Sequence, residues 1–466
     1  MNVQAKLPAI AEAYPFPANA FLVQKLTADL FSANHRAYCI NDLGTGKTRA
    51  ALFAFDWLKS LGAVHKMLVI SPLSGVKRTW AREIIRELPW LKFVILHGTK
   101  KKRLELLEKD VDVYIINHDG VKVLKDELAK RLDINVVCVD ELAVYRNGRS
   151  ELNKSLREYV KHKKFVWGMT GSPMPRAVTD VWGQCACLTP WTIPKYFTVF
   201  RDQLQIKWDQ YTWKNKPGAE ERAVACMQPS VRYSIDEVVE LPPRVFNYYE
   251  CDLSLQQMVV YEAMKKKAIA LIGQNKIDAL NAGAVFSKLL QISLGYVYTR
   301  TGKVVTLDNT PRLQLILDLI DGSPHKVILF APFTSALKGL SEMLTGNSVE
   351  HAIVYGDVTL KTRDTIFGEF QDTPRYKVLL AHPKCMAHSL TLTAATTTVW
   401  AGPTTSLEIF EQANGRTFRA GQTQKTLVAM IGGTKAEQRV YKILGANEEV
   451  QNKCLTLLKE LTTGEA

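Results

Sequence analysis

The sequence predicts an α/β protein with two parallel-sheet segments, about 1–185 and 306–466, and a helical stretch between them. Three observations lead there. Short apolar runs recur, each followed by a polar or glycine-bearing turn and then a stretch with helical spacing. Runs apolar at consecutive positions suit strands covered on both faces, the condition of a parallel sheet. Strand and helix alternate, which implies βαβ units, and 466 residues suffice for two or more such domains.

In the first segment the strand runs are "HRAYCINDLG", "KMLVISPL", "KFVILHG", "DVYIINH", "NVVCVDE" and "FVWGMTGS". Helical patterns fill 47–60, 75–88 and 101–109. Residues 190–230 change character. Trp191, Tyr196, Phe197, Phe200, Trp208, Tyr211 and Trp213 gather there beside a turn-like "KNKPGAEER". These aromatics read chiefly as the core of a small helical insert, with stacking on unpaired bases as the other reading. "ELPPR", 240–244, cannot continue a helix and reads as an extended crossing. Residues 254–294 look helical. The strand pattern resumes with "HKVILFAPF", "HAIVYGD", "YKVLLAHP", "TTTVWAG" and "TLVAMIGG". The expected division is 1–189, 190–305 and 306–466.

Charge narrows the function. Sixty Lys and Arg against 46 Asp and Glu leave a net +14, which points to a polyanionic partner, nucleic acid first. Solubility alone is the plainer reading. The 8 cysteines form no C-x-x-C pair and several lie in apolar runs; reduced buried thiols are expected, with no zinc and no disulfide. The opening residues lack a signal-peptide pattern and no stretch reaches the length of a spanning helix, so no membrane role and a cytoplasmic location are expected.

Four motifs carry chemistry. "INDLGTGKTRA" is close to the phosphate loop G-x-x-x-x-G-K-[ST], with Asn41 where the first glycine stands. It closes a strand and opens a helix. Backbone N–H groups around Gly44, Thr45 and Gly46 would face phosphate; Lys47 would meet the β/γ-phosphates and Thr48 would bind Mg²⁺. A glycine turn before a surface helix shares this much. "NVVCVDEL" ends a strand in Asp140 and Glu141, one placed to hold Mg²⁺ and the other to polarise water; a plain acidic turn looks the same in isolation. "MTGSPMP" offers Thr170, Gly171 and Ser172 at a strand end, as a link between nucleotide and bound strand or as a simple turn. In "EQANGRTFRAGQTQ", Gln412, Arg416 and Arg419 have helical spacing, Arg416 and Arg419 falling at i, i+3 on one face. Paired arginines suit a γ-phosphate; a basic solvated helix is the other reading.

Taken in order, these blocks resemble the superfamily 2 helicase-like motors, most closely the Swi/Snf-type DNA translocases in their compact phage and bacterial form. "INDLGTGKT" is similar to D-E-M-G-L-G-K-T. "LVISPLSGVKRTWAREI" resembles L-I-V-x-P-x-S-L-x-x-x-W-x-x-E-x, with Pro72, Trp80 and Glu83 in place. "MTGSPMPRAVTDVWGQ" is similar to L-T-G-T-P-x-x-N-x-x-x-E-L-W-S. "VRYSIDEVVELPPR" resembles R-x-x-x-D-V-x-x-x-L-P-P-K, and the stretch ending "EQANGRTFRAGQTQ" resembles G-I-N-L-T-A-A through Q-A-x-G-R-x-x-R-x-G-Q. The resemblance covers about residues 14–445.

It implies two RecA-like lobes with ATP and Mg²⁺ bound between them. It assigns Gln24 to adenine, Lys47 and Thr48 to phosphate and Mg²⁺, Asp140 and Glu141 to Mg²⁺ and water, and Gln412, Arg416 and Arg419 to completing the site. Backbone contacts to nucleic acid would fall at Pro72, His118, Thr170, Ser389 and Thr391. The implied function is an ATP-dependent motor on nucleic acid, duplex DNA favoured over RNA, with a replication or recombination protein as a further partner. An RNA- or single-strand-directed helicase and a binding protein with a lapsed ATPase are the alternatives. Two departures stand out: the acidic box reads D-E-L-A, placing Ala143 where a histidine is usual, and a glycine-rich stretch reads "KCMAHS" at 384–389. A fused nuclease is not expected.

Overall fold

A computed structural model describes residues 10–208, 213–238, 242–273, 279–299, 301–386, 391–419 and 421–446. The chain forms two compact units, Met1–Glu240 and Leu241–Ala466.

The first unit is built on β1 (Arg36–Cys39), β2 (Lys66–Ser71), β3 (Phe93–Ile95), β4 (Val113–Asn117), β5 (Ile134–Asp140) and β6 (Phe165–Met169). A small hairpin, β7 (Gln205–Lys207) with β8 (Trp213–Asn215), stands apart, and β9 (Ser230–Val231) adds an edge. The sheet runs β3-β4-β2-β5-β6-β1-β9 with every pairing parallel. Each apolar run seen in the sequence becomes one strand because alternate residues feed opposite faces. In β2, Leu68 and Ile70 enter one core with Val137 and Val139, while Met67 and Val69 enter another with Val136 and Cys138.

The second unit repeats the plan. Its strands are β10 (Arg244–Glu250), the hairpin β11 (Tyr296–Tyr298) and β12 (Val304–Thr306), β13 (Lys326–Phe330), β14 (His351–Val354), β15 (Val378–Ala381), β16 (Ala395–Trp400) and β17 (Thr426–Gly432). The main sheet runs β10-β17-β16-β13-β15-β14, again all parallel. Ile328 and Phe330 pack on one face, Val327 and Leu329 on the other. These are two RecA-like parallel-sheet lobes.

The intervening stretch is shared out. Residues 190–240 pack with the first unit, and 241–305 with the second. There "RVFNYYE" becomes the edge strand β10, and the helices Leu255–Gly273 and Ala279–Leu294 follow. The aromatics of 190–230 correct one expectation. Phe200 is core, but Trp191, Tyr196 and Trp208 are exposed, because the helix Phe197–Leu204 and the β7–β8 hairpin are too small to enclose them. Tyr211 lies outside the described residues. Among the described residues no helix is long and apolar enough to cross a membrane.

Candidate functional site

In the first unit the expected residues gather at the carboxyl ends of β1, β5 and β6, where ligands bind in open α/β sheets. The loop after β1 is shaped by two glycines in the left-handed region, Gly44 (φ 89°) and Gly46 (φ 81°). Gly46 caps the helix Lys47–Ser60. A Cβ on Gly46 would overlap the amide of Gln24, which is itself 2% exposed on the helix Leu22–Ala33. The residue expected to read adenine therefore packs directly on the phosphate loop. Its Oε1 also accepts from the Phe21 N–H at 3.1 Å.

The Lys47 ammonium donates to the carbonyls of Asn41 and Asp42, each at 2.7 Å, which curls its charge over the loop. The Thr45 hydroxyl donates to the Asp42 carbonyl at 3.0 Å. Asn41, in the place of a glycine, is a brace. Its Nδ2 donates to Thr27 Oγ1 at 3.2 Å and its Oδ1 accepts from the Tyr233 N–H at 2.9 Å. Asp42 accepts from the Ile235 N–H at 3.3 Å. The loop is thus pinned by residues nearly 200 positions later.

Asp140 ends β5 half-buried. Trp80 Nε1 donates to its Oδ2 at 3.0 Å and the Ser71 hydroxyl at 3.1 Å. Burial pushes its pKa up; the Trp80 and Ser71 donors and the Lys47 charge pull the other way. Trp80 is carried by a wide π-type turn, Val76–Ala81, which continues as the helix Arg82–Glu87; such widened turns re-aim a side chain at functional sites. Arg49, on the helix that opens at the loop, ties that element down through Glu87 at 2.7 Å and Glu83 at 3.8 Å. The Trp80 and Ser71 roles were not read from the sequence. The signal for Trp80 is its place in the block "LVISPLSGVKRTWAREI".

Glu141 sits at φ 56°, ψ 56°, a strained backbone for a residue with a side chain. Thr170, at the end of β6, donates to its carboxylate at 3.3 Å, and the Thr170 N–H donates to the Cys39 carbonyl at 3.0 Å. Thr170 therefore spans from the end of β1 to Glu141. Ala143 is buried in the turn Leu142–Tyr145. Pro72 and His118 follow β2 and β4 at the same edge of the sheet, and both are buried with Thr170. His118 Nδ1 lies 3.1 Å from the Tyr145 hydroxyl.

In the second unit one expectation is corrected. Gln412, Arg416 and Arg419 do not share a helix face. The helix Leu407–Asn414 carries Gln412, then Gly415 caps it and the chain turns. Arg416 is 1% exposed; its carbonyl accepts from the Leu392 N–H at 3.0 Å. Gln422 fixes the turn by donating to the carbonyls of Thr393, Ala395 and Thr417 at 3.1–3.2 Å. Arg419 is half-buried and Thr391 is exposed. Ser389 lies outside the described residues, while Met386 is buried.

The first-unit constellation offers hard oxygen donors, the Asp140 carboxylate and the Thr48 hydroxyl, which suit Mg²⁺. Beside them lie a glycine cradle and a helix N-terminus, which suit phosphate. The residues present fit Mg²⁺ and a nucleotide.

The family described as the SNF2-related domain matches residues 32–294, and the helicase conserved C-terminal domain matches 311–421. An uncharacterized ATP-dependent helicase of Mycoplasma genitalium is 23% identical over 89% of this chain and 40% of its own length. Putative protein p41 of Acyrthosiphon pisum secondary endosymbiont phage 1 is 24% identical over 62% of this chain and 66% of its own length. The yeast ISWI chromatin-remodeling complex ATPase is 23% identical over 86% of this chain and 37% of its own. The chain thus spans less than two thirds of the length of these relatives. The Sulfolobus solfataricus SWI2/SNF2 ATPase core in complex with dsDNA aligns with a TM-score of 0.46 at 20% identity, covering 99% of this chain and 96% of that one.

Proposed function

The chain belongs to the SNF2-related family, and from that premise we propose that it is an ATP-driven motor on nucleic acid, with double-stranded DNA as its track. One observation carries the reading. A glycine loop, its lysine and an acidic pair converge at one edge of a parallel sheet, with Thr170 bonded both to Glu141 and to the end of β1.

The roles follow from chemistry. Lys47 counters the β/γ-phosphate charge, the loop N–H groups hold the phosphates and Gln24 meets the base. Thr48 and Asp140 would hold Mg²⁺, which would supply charge neutralisation on the phosphates. Glu141 aligns the attacking water. Gln412, Arg416 and Arg419 of the second unit are assigned to the same reaction. Backbone groups near Pro72, His118, Thr170, Ser389 and Thr391 hold the strand's phosphates, so sequence preference is weak and binding falls steeply with salt. The net charge of +14 supports a polyanionic track.

ATP turnover measured with duplex, forked and single-stranded DNA and with RNA tests this. Duplex DNA is expected to stimulate most, and Lys47→Ala or Glu141→Gln to abolish the stimulated rate. A rate that no nucleic acid raises refutes the motor.

A further inference from the structure

Arg36 opens β1 at the end of the sheet opposite the phosphate loop. Its guanidinium donates to the carbonyls of Val160 and Lys163, each at 3.0 Å, and so closes the carboxyl end of the helix Glu151–Val160. Beside it is a cavity of about 560 Å³. Lys154, Arg157 and Lys161 line it. Spaced by three and four residues, they share one face of that helix and its continuation. Lys154 is paired with Glu151 at 2.7 Å, and Glu158, the one acidic lining residue, is paired with Lys125. Arg157 and Lys161 are exposed and pair with no carboxylate among the described residues.

Trp191 lines the same cavity and is 70% exposed. A tryptophan this open forgoes most of the apolar burial its ring normally gains. It is placed just beyond the helix Asp180–Leu188. An open indole face beside two uncommitted cations, one helical turn apart, matches a particular chemistry. A base stacks on the ring, and neighbouring phosphates meet the cations. A duplex hides its base faces and would leave the indole unused. An acidic polypeptide would use the cations alone.

We propose that this cavity binds an unpaired nucleic-acid strand, with a base on Trp191 and adjacent phosphates on Arg157 and Lys161. It lies across the sheet from the strand ends assigned above to the track. It gives the protein a hold on single-stranded nucleic acid separate from the one used for stepping.

The test is fluorescence anisotropy of a labelled oligothymidylate with the full chain and no ATP, so a failure of the motor reading leaves it intact. Trp191→Ala is expected to weaken binding about tenfold, and Trp191→Phe to restore most of it. The double variant R157E/K161E is expected to weaken binding and to flatten the salt dependence by about 1.4 in log–log slope, as two single-strand phosphate contacts require. Duplex binding and duplex-stimulated ATP turnover stay as in the unaltered chain. The proposal is overturned if Trp191→Ala binds oligothymidylate as tightly as the unaltered chain. It is equally overturned if duplex binding drops as far, or if polyglutamate displaces the oligonucleotide as well as unlabelled oligothymidylate does.

Discussion

Trp80→Phe isolates one bond in the site. The substitution keeps an aromatic ring in a fully buried place and deletes the N–H that reaches Asp140 Oδ2 at 3.0 Å. Burial already raises the Asp140 pKa, and the Trp80 donor opposes it. A hydrogen bond to a charged group contributes about 1.5–3 kcal/mol. One pKa unit corresponds to about 1.4 kcal/mol. Loss of the donor should therefore move the acid limb of the pH–rate profile upward by about one to two units, because the proposed role of Asp140 requires its ionised form. The sign also shows in stability. A carboxyl whose folded pKa is raised costs stability at pH above that value and gives it back as pH falls through it. Removing the donor enlarges that cost, so the variant's stability deficit should be greatest near neutral pH and shrink on acidification. ATPase rates and thermal unfolding from pH 5 to 9 measure both. Ser71→Ala should shift the limb in the same direction by less. An acid limb that stays put in Trp80→Phe, with only a uniform drop in rate, would refute the clamp.

Other substitutions probe the same frame. Gly46→Ala puts a side chain where the backbone is left-handed, a strain of about 1–2 kcal/mol, and against the Gln24 amide; affinity for a fluorescent ATP analogue should fall at least tenfold. Adding Gln24→Ala should recover some unfolding stability and no affinity. Glu141→Gly should relieve a similar left-handed strain, raising the unfolding midpoint while turnover disappears. In the second unit Arg312 and Glu437 form a buried pair at 2.9 Å. Glu437→Gln leaves the cation uncompensated, and chemical denaturation should record a loss of about 3–5 kcal/mol.

How much of this could be read from the sequence depended on burial. "KMLVIS" and "NVVCVD" were legible because strands covered on both faces spell continuous apolar runs. "RVFNYYE" was not, because an edge strand half-open to water mixes aromatic and charged residues and loses that signature. Within the site, residues fixed by local loop geometry were legible: Gly44, Gly46, Lys47 and the acidic pair each follow directly from a strand end. The Trp80–Asp140 bond crosses 60 positions, and no local pattern encodes it. Spacing alone misplaced Arg416 and Arg419, since Gly415 stops the helix that the spacing assumed. The exposed ring of Trp191 was hidden for the opposite reason: an aromatic-rich segment predicts a core, and here the elements are too short to make one.

The phosphate loop is synthesised early and completed late. It leaves β1 near residue 40, yet β1 is flanked by β6, where Val166 faces Arg36, and by β9, where Ser230 faces Tyr38. A ribosome must add about 190 residues beyond β1 before the second flank exists, roughly ten to forty seconds at common rates of elongation. For the later part of that interval β1 has β6 on one side and, on the other, backbone groups that will bond Pro229 and Val231 still unpaired. A product released before residue 230 would contain every residue of the loop and yet lack the scaffold that gives it shape.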